Sequence, residues 1–275
     1  MKDSKRVVLV TGASSGIGQA CATHLHQRGY RVYGTSRHAV EAGSIYSESF
    51  HMIQMDVNVD RSVQRGIEHV WEREGRLDVV VNNAGFGMAG SIEDTTIEEA
   101  KAQFETNFFG ALRVCRAVLP IMRAQRAGHI VNISSMAGLA GVPFQGLYSA
   151  SKFALEGLSE ALRLELRPFG IRVVLIEPGD FETSFTARRR RTAQSGENAV
   201  YTDRFNTTLG IMEADESRGA NPTQAAHLVE RIIENPSPRM RYTVGPLIQR
   251  IEVTLKQIVP SWLYEWVISR YYRLG

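Results

Sequence analysis

The chain is poor in cysteine, with two in 275 residues. Two thiols build neither an ordinarily spaced zinc site nor a disulfide framework, and no metal site is expected. Cys21 and Cys115 both fall in stretches of helical spacing, which predicts buried free thiols and fits a reducing, cytoplasmic setting. No apolar run reaches the roughly 18 residues of a membrane span. Residues 1–6 are polar and Val7–Val10 already read as a strand, so no secretory leader is expected. Without one, the acceptor triplet Asn206-Thr207-Thr208 carries no weight. Net charge is only +3, too little to demand a nucleic-acid partner. Internal repeats and low-complexity linkers are also missing, which predicts one domain.

What the chain does have is an alternation of short apolar runs with amphipathic stretches. Val7–Val10 is apolar at every position, as a strand buried on both faces requires. It leads into Thr11-Gly12-Ala13-Ser14-Ser15-Gly16-Ile17-Gly18, after which Ile17, Cys21 and Leu25 recur at helical intervals until Gly29. Strand, glycine-rich turn and helix form the context of a dinucleotide site. The glycines permit a tight turn and let phosphates approach N–H groups at the helix N-terminus. The spacing is G-x-x-x-G-x-G, not the commoner G-x-G-x-x-G.

Further strands are predicted over residues 30–35, 50–55, 77–81, 129–133, 171–176 and 240–244. Helices are predicted over 60–74, around Asn107 to Met122, from Tyr148 to about 168, and over 225–233. The alternation predicts an α/β fold, a Rossmann-like, doubly wound parallel sheet with helices on both faces. Ligands then belong beyond the carboxyl ends of the strands. Gly12, Arg37, Asp56, Asn83, Ser135 and Pro178 all fall at such ends.

The second strand ends at Ser36-Arg37-His38. NAD sites usually place Asp or Glu here to receive the ribose hydroxyls. No acid is present, and the planar fork of Arg37 suits a 2′-phosphate. NADP(H) is therefore the expected cofactor; a solvated turn residue is the other reading of Arg37.

Tyr148 and Lys152 stand four apart, on one face of a helix whose period Leu155, Leu158, Leu162 and Leu166 continue. An isolated phenol titrates near 10. A neighbouring ammonium favours the phenolate and is expected to lower that value. A phenol so tuned can exchange a proton with an alcohol or carbonyl oxygen. Taken alone, the pair reads as an ordinary surface contact.

The set Thr11-Gly-x-x-x-Gly-x-Gly18, Asn82-Asn-Ala-Gly85, Ser135, Tyr148-x-x-x-Lys152 and Pro178-Gly179 runs in order over residues 5–185. It resembles the short-chain dehydrogenase/reductase family. The resemblance implies an oxidoreductase in which Tyr148 is the general acid for ketone reduction and the general base for alcohol oxidation. Lys152 would lower the phenol's pKa and hold the nicotinamide ribose. Ser135, thirteen residues before Tyr148, would bond the substrate oxygen, with Ser134 as the alternative. Asn107 would anchor a water chain to the lysine. Gly12, Ser14, Ser15, Gly16, Ile17 and Gly18 would form the phosphate turn. Asp56 and Val57 would meet the adenine, Asn83, Ala84 and Gly85 would line the cleft, and Pro178, Gly179 and Thr183 would reach the nicotinamide end. NADP-using relatives often carry a basic residue where this chain has Ser15, so the NADP expectation rests on Arg37. The Thr35-Ser36-Arg37 ending is nearer to relatives acting on steroids, retinoids and other large apolar alcohols or ketones. A homodimer or homotetramer, packed through the Asn107 and Tyr148 helices, is implied as well.

The resemblance ends in the substrate loop, residues 180–220. Arg188–Arg191 reads as a solvated face, the rival being contact with an anionic carrier, a coenzyme A thioester or an acidic lipid head. Residues 1–245 are expected to form the catalytic body and 246–275 a helical extension of the same domain. Residues 247–258 have helical spacing, and Ser261 is the expected N-cap of a last helix. There Trp262, Leu263, Trp266, Val267 and Tyr271 form an apolar stripe, expected to pack on its own domain or a partner subunit. Roofing the substrate cleft is a further option. Arg270 and Arg273 keep open a peripheral membrane contact through residues 260–275.

The leading expectation is an NADP-dependent enzyme acting on the carbonyl/secondary alcohol pair of an apolar small-molecule substrate. A 3-oxoacyl thioester reductase is the alternative within the enzymes. A non-catalytic NADP-binding regulator and a membrane-surface scaffold are alternatives of other classes.

Overall fold

The computed structural model describes residues 5–38 and 50–275. Its strands are β1 (Val7–Val10), β2 (Arg31–Ser36), β3 (His51–Gln54), β4 (Val79–Asn82), β5 (Met88–Ala89), β6 (Gly128–Ile133), β7 (Ile171–Pro178), β8 (Arg190–Arg191) and β9 (Arg241–Val244). Its helices are α1 (Gly16–Gln27), α2 (Asp60–Glu74), α3 (Ile97–Phe104), α4 (Ala111–Gln125), α5 (Gly146–Leu166), α6 (Thr202–Glu216), α7 (Thr223–Glu234), α8 (Leu247–Leu255) and α9 (Ser261–Tyr271). Seven strands form one sheet in the order β3-β2-β1-β4-β6-β7-β9, with every pairing parallel.

The period-two alternation of side chains sorts the strands' apolar residues into two cores. Val7, Leu9, Val80, Ile130 and Val173 face α2, α4 and α5, where Val63, Val70, Val114, Val118 and Leu162 meet them. Val8, Val10, Val81, Val131 and Val174 face α1 and α7, where Cys21, Leu25, Ala226 and Val229 meet them. On that second face Glu230 of α7 receives hydrogen bonds from both His24 and Arg28 of α1, so its charge is matched where the two helices touch. Both cysteines are buried free thiols, as expected.

From β1 the chain steps outward to β2 and β3, then crosses back to lay β4, β6, β7 and β9 on the other side. The order reverses between β1 and β4, and that switch point opens a crevice at their carboxyl ends.

Several local expectations are corrected. The long helix around Asn107 is two helices, α3 and α4, joined by a π-turn over Glu105–Gly110 that carries Asn107. Such turns mark local insertions and often sit at functional sites. Ser261 is the first helical residue, and extended Pro260 is the cap, so no side-chain cap forms. The loose glycine loop after β4 contains β5, which pairs with β8, made of two residues of the arginine run. In the 180–220 segment, α6 buries Phe205, Leu209 and Met212 against Val142, Phe144 and Tyr272. Among the described residues no helix is long and apolar enough to cross a membrane.

Candidate active site

The floor of the crevice is a knot between the β1 turn and the β4 loop. Thr11 Oγ1 accepts the N–H groups of Asn83 and Ala84 at 2.9 and 3.0 Å. Asn83 Nδ2 in turn donates to the carbonyls of Thr11 and Gly12 at 3.0 and 3.2 Å. Gly12 takes φ +65, and a Cβ there would lie 3.0 Å from Ala84 Cα. A Cβ on Gly18 would lie 2.5 Å from the Gly12 carbonyl oxygen. Backbone cannot yield as a flexible side chain can, so both positions require glycine.

The turn delivers the chain into α1 with Ser15 extended and not capping the helix by its side chain. The first-turn N–H groups of α1 therefore face the crevice with their partial positive charge, an arrangement that suits a phosphate. A cleft of about 1110 Å³ runs from here past Arg37, Asp56 and Val57 on one side to Ser135, Tyr148, Lys152, Pro178, Gly179 and Thr183 on the other. Ser14, Ser15, Gly16, Ile17, Asn83, Ala84 and Gly85 line it as well. Arg37 is exposed at its rim, with Nε 3.2 Å from His38 Nε2. Gly18 and Asn107 stand behind the wall. These residues fit an extended dinucleotide, with phosphates at the α1 turn.

At the inner end, β6 terminates in Ser134-Ser135. Ser135 caps a 3₁₀ turn over Met136–Gly138, accepting the Ala137 N–H at 3.1 Å. Its hydroxyl lies on the Tyr148 side and favours the ionised phenol, whereas the Ser134 hydroxyl is buried towards Glu156 with no hydrogen-bond partner among the described residues. The geometry thus selects Ser135 over its neighbour. Tyr148 and Lys152, one helical turn apart on α5, are only 8% and 6% exposed. Lys152 Nζ donates to the Ile133 carbonyl at 2.9 Å and stands 5.8 Å from the centre of the Tyr148 ring.

The electrostatics correct the expectation of an acidified phenol. Burial pushes Tyr148 up to about 12; Glu216 and Asp180 push the same way, against the Ser135 hydroxyl and Arg189. Burial likewise holds Lys152 down to about 8, with Glu156 opposing. Taking charge out of water disfavours the ionised form of either group. At neutral pH the site therefore presents a protonated phenol beside an ammonium. Beneath the lysine, Arg241 of β9 holds Glu156 at 3.0 Å and Glu177 at 3.3 Å. Burial and the neighbouring Glu156 raise Glu177 to about 7.

Asn107 is 2% exposed. It accepts the Phe86 N–H and donates to the Phe86 carbonyl and Ser151 Oγ, each at 3.1 Å. No hydrogen bond joins it to Lys152 among the described residues, so its visible work is to fix the loop carrying Phe86.

The substrate end is apolar, and most of it escaped sequence reading. Phe181 and Phe185 from the 180–191 strap form one wall, and the Phe185 ring centre lies 5.8 Å from that of Tyr148. The tail forms the roof: Ile251, Leu255, Leu263, Tyr264, Val267 and Tyr272 all face the cleft. Gln249 of α8 accepts the Asp180 N–H at 2.9 Å and donates to that residue's carboxylate. Lys256 Nζ reaches the Leu139 carbonyl at 2.5 Å, and Tyr271 donates to Asp215 at 2.6 Å. The tail's own spacing predicted two amphipathic helices, but only long-range contacts reveal what they cover.

Arg188, Arg190 and Arg191 are exposed, as a solvated face requires; Arg189 departs from it. Arg188 Nη1 donates to Ser15 Oγ at 2.5 Å. Arg189 is 3% exposed and paired with Glu216. Arg190 lies over the Phe86 ring at 4.4 Å, and Arg191 stands 3.8 Å from Glu213.

Comparison with known proteins agrees with this geometry. The short chain dehydrogenase family profile matches residues 6–194. A 3-ketodihydrosphingosine reductase of Bacteroides thetaiotaomicron is 42% identical over 98% of both chains. The crystal structure of a short-chain dehydrogenase from Streptomyces avermitilis superposes with a TM-score of 0.84 at 34% identity, covering 98% of this chain and 99% of that one. A Burkholderia phymatum short chain dehydrogenase/reductase, solved in complex with NAD, superposes with a TM-score of 0.78 at 28% identity over 94% of both chains.

Proposed function

This chain belongs to the short-chain dehydrogenase/reductase family, and from that footing we propose that it is an NADP-dependent reductase of a long-chain, apolar ketone. One observation carries the reading: the buried Tyr148 phenol stands beside Lys152 and Ser135 at the inner end of the cleft, under an apolar roof. When bound, the reduced nicotinamide supplies the hydride; the protein's share is positioning and the proton. Ser135 and Tyr148 hold the carbonyl oxygen, and as negative charge grows on it Tyr148 hands over its phenolic proton. The Lys152 ammonium then stabilises the phenolate left behind. Arg37 receives the 2′-phosphate, and the tail excludes water from the reacting end. The catalytic body and the tail act as one domain in this scheme.

The Bacteroides relative's name supports 3-ketodihydrosphingosine as the first ketone to try. NADPH oxidation by the wild type is expected with it, or with another long-chain ketone, ahead of acyl thioesters. NADPH is expected to be preferred to NADH, and Arg37→Ala to raise the KM for NADPH by roughly 10-fold or more while leaving NADH little changed. Preference for NADH would overturn the cofactor assignment. Absence of turnover on every ketone and thioester would favour a binding-only role.

The tail also supports an approach from a lipid surface. Ile248 is 81% exposed, Ile258 74%, Trp262 69% and Trp266 62%. Arg250, Lys256, Arg270 and Arg273 are interspersed with them. Apolar side chains among cations suit an anionic interface. Replacing both Trp262 and Trp266 by Ser is expected to reduce pelleting with anionic vesicles severalfold while turnover of a short soluble ketone persists. Unchanged pelleting would remove the membrane contact.

A further inference from the structure

Ser15 and Arg188 are 173 residues apart in sequence, yet the guanidinium Nη1 donates to the serine hydroxyl. Ser15 begins the turn of α1 where the helix's N-terminal charge faces the cleft. Arg188 is exposed and lines the same cleft as Ser15 and Arg37. Its neighbours Arg189 and Arg191 face Glu216 and Glu213; among the described residues no ion pair engages Arg188. The helix N-terminus and the Arg188 guanidinium therefore meet at the glycine-rich turn, in a cleft that Arg37 also lines. Such a convergence gains from a phosphate that neutralises it.

The strap that carries Arg188 is seated at other points too. A Cβ on Gly16 would lie 3.4 Å from Thr183 Cβ. Arg190 N–H bonds the Gly87 carbonyl at 2.9 Å, and Phe185 covers Tyr148. One continuous segment thus touches the phosphate turn through Thr183 and Arg188 and the Tyr148 ring through Phe185 between them.

We propose that Arg188 is a cofactor-phosphate clamp, supplied from the substrate strap to the glycine-rich turn. The hydrogen bond to Ser15 parks the guanidinium at that turn, where it adds a planar charged donor to those of the helix. This rests on reading the cleft as the NADP site, but it is tested separately from the Arg37 assignment.

Wild type, Arg188→Ala and Arg188→Lys are titrated with NADPH, NADH and adenosine 2′,5′-bisphosphate by calorimetry. Arg188→Ala is expected to weaken NADPH by roughly 10- to 100-fold, the range for a lost charge-assisted bond. Arg188→Lys should recover part of that, and the melting temperature should be unchanged. A loss shared by NADPH and NADH places the clamp on the pyrophosphate. A loss confined to NADPH and the bisphosphate places it on the 2′-phosphate. Either supports the clamp. Affinities of Arg188→Ala for both cofactors within twofold of wild type overturn it. Should that variant unfold, Arg188→Gln, which keeps the stem, is judged by the same limit. A wild type that prefers NADH refutes the NADP reading, and the clamp is then decided on NADH.

Discussion

Tyr148→Phe is expected to lower ketone reduction on the order of 10³-fold while NADPH still binds. The substitution removes one hydroxyl and keeps the ring that packs against Phe185. In the proposed mechanism the lost atom is the proton donor, and positioned general acids contribute roughly 10² to 10⁴ in rate. Stability should hold or rise slightly, because the phenol is deeply buried and its hydroxyl need no longer be desolvated. Single-turnover kinetics beside a cofactor titration separate the two effects. Turnover within a fewfold of wild type would remove Tyr148 from the chemistry.

Lys152→Met is expected to cost on the order of 10²-fold in reduction rate, within the range for one preorganised charge, and to change the shape of the pH profile. In the wild type, burial holds Lys152 down to about 8 and pushes Tyr148 up to about 12. The sign follows from which form works. Reduction needs the ammonium, which is present below its pKa and lost above it, so the rate should fall as pH rises past about 8. The phenol keeps its proton throughout that range and cannot cause the break. Glu177, raised to about 7, and Asp180, raised to about 6, titrate lower. In Lys152→Met the break near 8 should vanish. A methionine variant that still breaks there would place the limb on another group.

The two expectations stand differently to the sequence. That Tyr148 and Lys152 share a helix face is a matter of spacing. That burial dominates the phenol is not, because desolvation depends on Phe185, the tail and the strap, all remote in sequence. Ser135 shows the same division. Its thirteen-residue distance from Tyr148 already favours it over Ser134, and the chain's course after β6 places it by the phenol. In the arginine run, Arg188, Arg190 and Arg191 stay exposed as four like charges in a row suggest, while Glu216, arriving from α6, takes the Arg189 side chain out of water.

The sheet, the glycine turn, the order of the strand-end residues and the helix that carries Tyr148 and Lys152 were determined by the sequence alone. Each depends on periodicity, on backbone sterics or on a separation of a few residues, and those are local properties. Only the tertiary structure decided what closes the cleft, how the phenol and ammonium are poised and where Arg188 reaches. Those features arise from side chains separated by up to 173 residues. Their energies follow the distance between groups and the exclusion of water, neither of which a linear pattern records.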